Sequence, residues 1–164
     1  MSMYAVNTSI PKTLVRTLVY EIGHYMDENG FAGMKTVIED IINTPVSPEL
    51  LPPNADGTIA QKTEETVGSY ILHDFFLYYT LRYGMAPAEI MALCKEAVRQ
   101  NDEYKFSDKE IQKWLNVFYK RFFQQQFKRN CMPDGVKVGS VSVSPRGDLR
   151  LPAEIESEEF TEYE

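Results

Sequence analysis

Between residues 120 and 150, seven Lys or Arg side chains stand against two acids, in a 164-residue chain whose formal net charge is −7. The stretch that concentrates them, FKRNCMPDGVKVGSVSVSPRGDLR (127–150), opens on Lys128 and Arg129, continues through Lys137, Arg146 and Arg150, and is rich in Gly and Ser. Cations beside a backbone that can bring its N–H groups close to a ligand are the ingredients of a site for a compact anion such as phosphate. A nucleic-acid surface fits less well, because the remaining chain repels polyanions. Residues 1–119 carry 10 basic against 16 acidic side chains, and residues 151–164 none against six. The plainer reading of Lys128 and Arg129 is that two cations in a last helical turn complement the helix dipole.

Three further constellations have modest chemical content. Lys12 follows Pro11 at a helix start, where backbone N–H groups suit phosphate although the ammonium itself opposes the dipole; a solvated lysine is the ordinary alternative. Glu64 and Glu65 suit the first turn of a helix for the dipole alone, against a functional reading in metal or ammonia handling. His73-Asp74 lies inside an aromatic run and reads as a satisfied core pair rather than a ligand set. Two histidines without Cys/His spacing argue against a zinc site, and no nucleophile is paired with a base. No catalytic residue and no metal ligand is assigned.

These side chains must be positioned by helices. Pro11 suits the first turn of a helix carrying Leu14, Val15, Leu18, Val19, Ile22 and Tyr25 or Met26 at helical spacing, with Asn29-Gly30 as its stop. A second helix is predicted from Gly33 to Asn43, ended by Pro45. Residues 44–66, with four prolines and no sustained period, read as a long loop, and loops of that length are often functional or disordered. The run VGSYILHDFFLYYTLRY (67–83) predicts a buried helix ended by Gly84. Pro87 opens another through about Arg99.

Ser107 with Glu110 forms a capping-box pattern for the longest predicted helix, 108–129, with Ile111, Trp114, Leu115, Phe118, Phe122 and Phe123 as its stripe. Beyond it, the alternating VKVGSVSV between two turn-like sequences predicts an extended segment. The acidic end, 153–164, reads as a frayed tail or a docked short element. The fold class is thus mainly α, with about five helices. Length and composition suit one ordinary domain with a real core. No apolar run approaches the roughly 18 residues of a membrane span and the start lacks a signal-peptide pattern, so a soluble cytoplasmic protein, with no membrane and no nucleic-acid partner, is expected. Cys94 and Cys131 are expected to be reduced thiols.

The motifs TSIPKTLVR, NTPVSPELLP, IAQKTEETVGSYILHDFFLYY, LRYGMAP and FFQQQFKRNCMPDGVKVGSVSVSPRGD, in this order over residues 2–152, resemble the C-terminal part of glutamine-dependent NAD synthetase. The resemblance implies a ligase in which ATP, as its Mg2+ complex, activates the nicotinate carboxylate of deamido-NAD, and ammonia attacks the resulting anhydride. The ammonia comes from glutamine, hydrolysed in a preceding nitrilase-like domain. The implied fold is the C-terminal portion of an α/β adenine-nucleotide-binding domain of the ATP-pyrophosphatase type, with sheet and phosphate loop upstream of this chain. Those synthetase and glutaminase regions are then missing partners, and the chain alone is expected to be incomplete.

By the same resemblance, Lys12 in SIPKT matches a position that contacts ATP phosphate. Ser47, in the loop that closes over the nucleotide, matches a second ATP contact. Lys128 matches a lysine that binds deamido-NAD; Arg129 beside it joins that site, and Lys137, Arg146 and Arg150 are candidate anion contacts. The chain departs from the family at Ser69 and Ile71, where the usual residues are Pro and Glu, and at Leu149, where an aromatic is usual. The alternative function is a non-catalytic nucleotide-binding or assembly subunit that joins a separate ATP-binding chain. If a sheet is missing, helices are left with uncovered apolar faces and a homo-oligomer is expected.

Overall fold

Eight helices follow one another along the chain in a computed structural model that describes residues 3–44 and 63–161. They are α1 (Lys12–Glu28), α2 (Met34–Asn43), α3 (Thr63–Val67), α4 (Tyr70–Tyr83), α5 (Pro87–Gln100), α6 (Asp108–Gln124), α7 (Gln126–Asn130) and α8 (Glu158–Thr161). No strand occurs among the described residues. The chain divides into two compact units: residues 1–10 with 71–164, and residues 11–70.

In the first unit the core is built by α4, α5 and α6. Leu72, Phe76, Ile90, Cys94, Ile111, Leu115 and Tyr119 are at most 2 % exposed, each contributing roughly 1.5–3 kcal/mol of apolar burial where the side chain is large. Phe76 and Phe118 lie with ring centroids 5.8 Å apart, and the Tyr119 hydroxyl shares a 3.0 Å hydrogen bond with Thr80, so the one polar tip inside the cluster is satisfied. His73 meets Phe118 edge-on at 5.8 Å, in keeping with the core reading of that histidine. The α6 start is fixed by its capping box: the Glu110 amide donates to Ser107 Oγ (3.3 Å) and the Ser107 amide donates to Glu110 Oε2 (2.8 Å).

The aromatic helix ends at Tyr83 before Gly84, as predicted, but differs from its prediction at its start and in burial. Gly68, at φ 89°, sits between α3 and α4 and takes a backbone shape that a β-carbon resists, so the run divides and α4 begins only at Tyr70. Only Leu72 and Phe76 of α4 are buried; Ile71, Tyr78 and Tyr83 are exposed. At the acidic end, α8 brings Phe160 onto Tyr119 (5.7 Å) and Phe123 (4.5 Å), which makes this stretch a docked element up to Thr161.

The second unit contains α1, α2 and α3. Its α1 and α2 meet at Gly23, where a β-carbon would stand 2.6 Å from Ile38 Cγ1. Glycine therefore sets how closely these helices approach. The turn between them uses Gly33 at φ 88°, whose amide donates to Asp27 Oδ1 at 2.7 Å. Leu14, Leu18, Ile22 and Tyr25 recur along one face of α1 and are all exposed, as are Val37 and Ile41 on α2.

Candidate functional site

The predicted helix 108–129 is in fact two. Gln125, at φ −96° and ψ 9°, ends α6 and begins α7. A break leaves last-turn carbonyls in need of donors, and the Phe122 carbonyl receives one from Arg129 Nη2. The Arg129 guanidinium also donates through Nε to Gln126 Oε1 (2.9 Å) and lies 4.3 Å from the Phe122 ring centroid. Its half-buried position lowers its pKa by desolvation, yet an arginine keeps its charge at any ordinary pH. Gln126 is fully buried; its amide donates to Asn130 Oδ1 (2.9 Å) and to the Leu151 carbonyl (3.5 Å), tying α7 to a segment 25 residues away.

This hub separates the two adjacent cations. Arg129 is committed to groups of its own chain, whereas Lys128 is exposed, with Nζ 5.9 Å from the ring centre of the exposed Phe127. Gln126 carries no charge and sits among three glutamines, so nothing in its type marked it; only the i, i+3 and i, i+4 spacing to Arg129 and Asn130 carried a signal.

The rest of the basic segment forms a cleft of about 280 Å3 lined by Asp134, Gly135, Lys137, Ser142, Ser144, Arg146, Gly147 and Asp148. Both cations at its wall already have carboxylate partners. Lys137 Nζ is 2.6 Å from Asp148, and Arg146 pairs with Asp134 while donating to the Met132 carbonyl. Such half-exposed pairs contribute little to stability, and solvent lets them exchange for another anion at small cost. Ser142 and Ser144 are buried, and the Ser144 amide donates to Ser142 Oγ at 3.3 Å. The Ser144 carbonyl in turn accepts from the amides of Gly147 and Leu149 at 3.1 and 3.2 Å.

This SPRGD turn aims Arg146 at the cleft and drives Leu149 into the core, where it is 6 % exposed. Leu149 thus fills an interior position. Arg150 is exposed and donates to the Arg146 carbonyl at 3.0 Å. The alternating segment 136–143 forms no strand. Its backbone is held by residues near the start of the chain: Ala5 N donates to the Asp134 carbonyl (2.8 Å) and Val143 N to the Thr8 carbonyl (3.2 Å).

The structure therefore brings Lys137 and Arg146 into one cleft, with Lys128, Arg129 and Arg150 in the same unit but not among its lining residues. Lys12 belongs to the other unit, exposed in the first turn of α1, with Nζ 5.8 Å from the Tyr70 ring centre. Ser47 lies outside the described residues. Glu64 acts locally, since its Oε1 accepts from the Tyr70 amide at 3.0 Å and so caps the start of α4. A larger cleft of about 430 Å3 between α1 and α2, lined by Arg16, Tyr20, Glu39 and Asn43 among others, contains none of the expected contacts. Among the described residues no group of three or more His, Cys, Asp or Glu could hold a metal ion, and no helix is long and apolar enough to cross a membrane.

The cleft thus pairs two cations with two carboxylates, and Lys128 stands exposed on an anchored helical turn outside its lining. Comparison with known proteins makes the relationship specific. The chain is 35% identical over 170 residues to glutamine-dependent NAD(+) synthetase of Mycobacterium leprae, and 35% identical over 171 residues to the enzymes of the same name from Mycobacterium bovis and Mycobacterium tuberculosis. Each match covers 94% of this chain and 24% of the relative, so the chain spans about a quarter of the length of the curated relatives it matches. No family model matches. The chain is a relative of one part of the glutamine-dependent NAD(+) synthetases.

Proposed function

We propose that this chain supplies the dinucleotide-facing portion of an NAD synthetase, a ligase that amidates deamido-NAD with ATP and glutamine-derived ammonia, and that it is inactive alone. The observation that carries the reading is the division of labour on α7. Arg129 fastens the turn to α6 and Lys128 is left exposed, in a chain that is 35% identical to the named synthetase over 94% of its length. In this reading Lys128 meets a phosphate or carboxylate of deamido-NAD by a charge-assisted hydrogen bond. Arg129 is a positioning residue rather than a ligand contact. Lys137 and Arg146 exchange their carboxylate partners for ligand phosphate, and Arg150 adds positive charge nearby.

Lys12, in the first turn of α1, and Ser47 are the proposed ATP contacts, with Mg2+ arriving on ATP. The sheet and phosphate loop of the synthetase domain and the glutaminase region are the proposed partners, in a cytoplasmic homo-oligomer. Preorganised donors on the β- and γ-phosphates are needed for the activation step, and Lys12 alone is too few for it.

The test uses a complete enzyme containing these residues. Lys128→Ala raises the apparent KM for deamido-NAD about tenfold while kcat changes little, the size expected for one charge-assisted hydrogen bond. An unchanged KM removes the assignment. The pure 164-residue chain forms no NAD from deamido-NAD, ATP and ammonia; turnover by it would refute the claim that it is incomplete.

A further inference from the structure

The cleft residue Lys137 sits at the centre of a five-residue segment, Gly135-Val136-Lys137-Val138-Gly139, with a glycine two positions away on each side. Such a segment has little rigidity of its own, because glycine leaves the backbone free on both flanks. It is held from the far end of the sequence by one hydroxyl. Ser9 Oγ donates to the Val136 carbonyl at 3.1 Å and accepts from the Val138 amide at 2.8 Å, so a single side chain grips the backbone on either side of Lys137.

The neighbouring contacts support the same grip. A β-carbon on Gly135 would stand 2.1 Å from Thr8 Oγ1 and 2.3 Å from the Ala5 carbonyl, so residues 5–9 lie against this segment at a distance only glycine permits. Thr8 is 5 % exposed, with its hydroxyl donating to the Ala5 carbonyl at 2.8 Å, which keeps the gripping segment in shape. With the backbone fixed on both sides, the Lys137 ammonium is delivered to the cleft wall 2.6 Å from Asp148.

We propose that Ser9 is a positioning residue for anion binding: its hydroxyl fixes the backbone around Lys137 and thereby sets where the cleft presents that cation. This rests on the reading of the cleft as a phosphate-binding region. Ser9 itself touches no ligand. Its removal leaves Lys137 charged and present but no longer preorganised, so affinity falls while the fold persists.

The experiment measures binding of inorganic pyrophosphate to the 164-residue chain by titration calorimetry, for the unaltered protein and for Ser9→Ala, Ser9→Thr and Lys137→Ala. Amide hydrogen exchange at Val138 and thermal melting are followed in parallel. Ser9→Ala is expected to weaken binding about fivefold to tenfold, to speed exchange at Val138 and to leave the melting midpoint nearly unchanged. Ser9→Thr, which keeps the hydroxyl, restores both binding and protection. If Ser9→Ala binds like the unaltered chain while Lys137→Ala does not, the role of Ser9 is overturned and the phosphate reading stands. If Lys137→Ala binds undiminished, or the unaltered chain does not bind, the phosphate reading fails and takes this role with it. Unchanged Val138 exchange in Ser9→Ala overturns the grip itself.

Discussion

The two units of this chain solve opposite problems. Residues 71–161 hide Phe76, Ile90, Ile111 and Leu115 completely, behind three helices and a docked C-terminal turn. In residues 11–70, the only buried positions among those described are glycines, Gly23 and Gly68, and Leu14, Leu18, Ile22 and Tyr25 form a bare stripe along α1. A unit whose large apolar side chains are inside owns its stability; a unit whose apolar stripe is outside depends on what covers it. The first therefore resembles a self-supporting scaffold, on which a binding cleft can be held still. The second is a helical pair whose close contact rests on the absence of one side chain.

This contrast is broken most forcefully in the core. Phe76→Ala is expected to destabilise the first unit by about 3–5 kcal/mol in urea unfolding, whereas Leu18→Ala on the bare stripe stays within about 0.5 kcal/mol. Comparable losses at both positions would abolish the distinction. Gly23→Ala comes next: the added methyl meets Ile38, an overpacking of about 1–3 kcal/mol that loosens α1 against α2. Amide exchange should rise in both helices and not in α4–α6; a rise everywhere would mean that the units unfold as one.

Ser107→Ala removes a cap of about 1 kcal/mol from α6. Its pH dependence has a definite sign. Hydrogen bonds from the Ser107 side chain and amide hold the Glu110 carboxyl below its usual pKa, so the stabilisation is present above the ordinary glutamate range and is lost as pH falls through the lowered value. The variant should show a flatter acid limb in a plot of stability against pH. Smaller in free energy but direct is the stripe itself: the chain is expected to self-associate at high concentration, and Leu18→Glu with Ile22→Glu to return it to a monomer by light scattering. A monomeric parent chain would mean that the stripe is tolerated in water. Thiol labelling gives the finest distinction. Cys94, 2 % exposed and with its pKa raised to about 11 by burial, should resist alkylation near neutral pH while exposed Cys131 reacts.

Much of the scaffold was legible from local chemistry. Pro11, Pro87 and the Ser107–Glu110 pair mark three helix starts to within a residue, because each acts on its own turn. The break at Gln125 was not legible. Three consecutive glutamines are all good helix formers, and what favours the break is a carbonyl at Leu151 that only tertiary folding brings near Gln126. The extended pattern at 136–143 was readable as non-helical, but its partner is a single segment at residues 5–9 that offers a few hydrogen bonds and no ladder.

Of the candidate site, the concentration of positive charge could be counted directly. Its neutralisation by Asp134 and Asp148 could not, although both acids lie in the same stretch, because composition records charge and not pairing. Arg129 shows the same limit: its type suggested a ligand contact, and nothing in the sequence showed that its guanidinium also donates to the Phe122 carbonyl.

The helix break at Gln125 also sets the kind of sequence change this region tolerates. Substitutions there leave the register of the chain alone. One residue inserted between Phe123 and Gln126 would advance everything after it by about 100° around the helix axis. Gln126 would leave its enclosed place, the guanidinium of Arg129 would lose the carbonyl it holds, and the outward ammonium of Lys128 would swing toward the aromatic interior. Chain length in this short joint is accordingly more constrained than residue identity, and related proteins should vary here by replacement rather than by insertion or deletion.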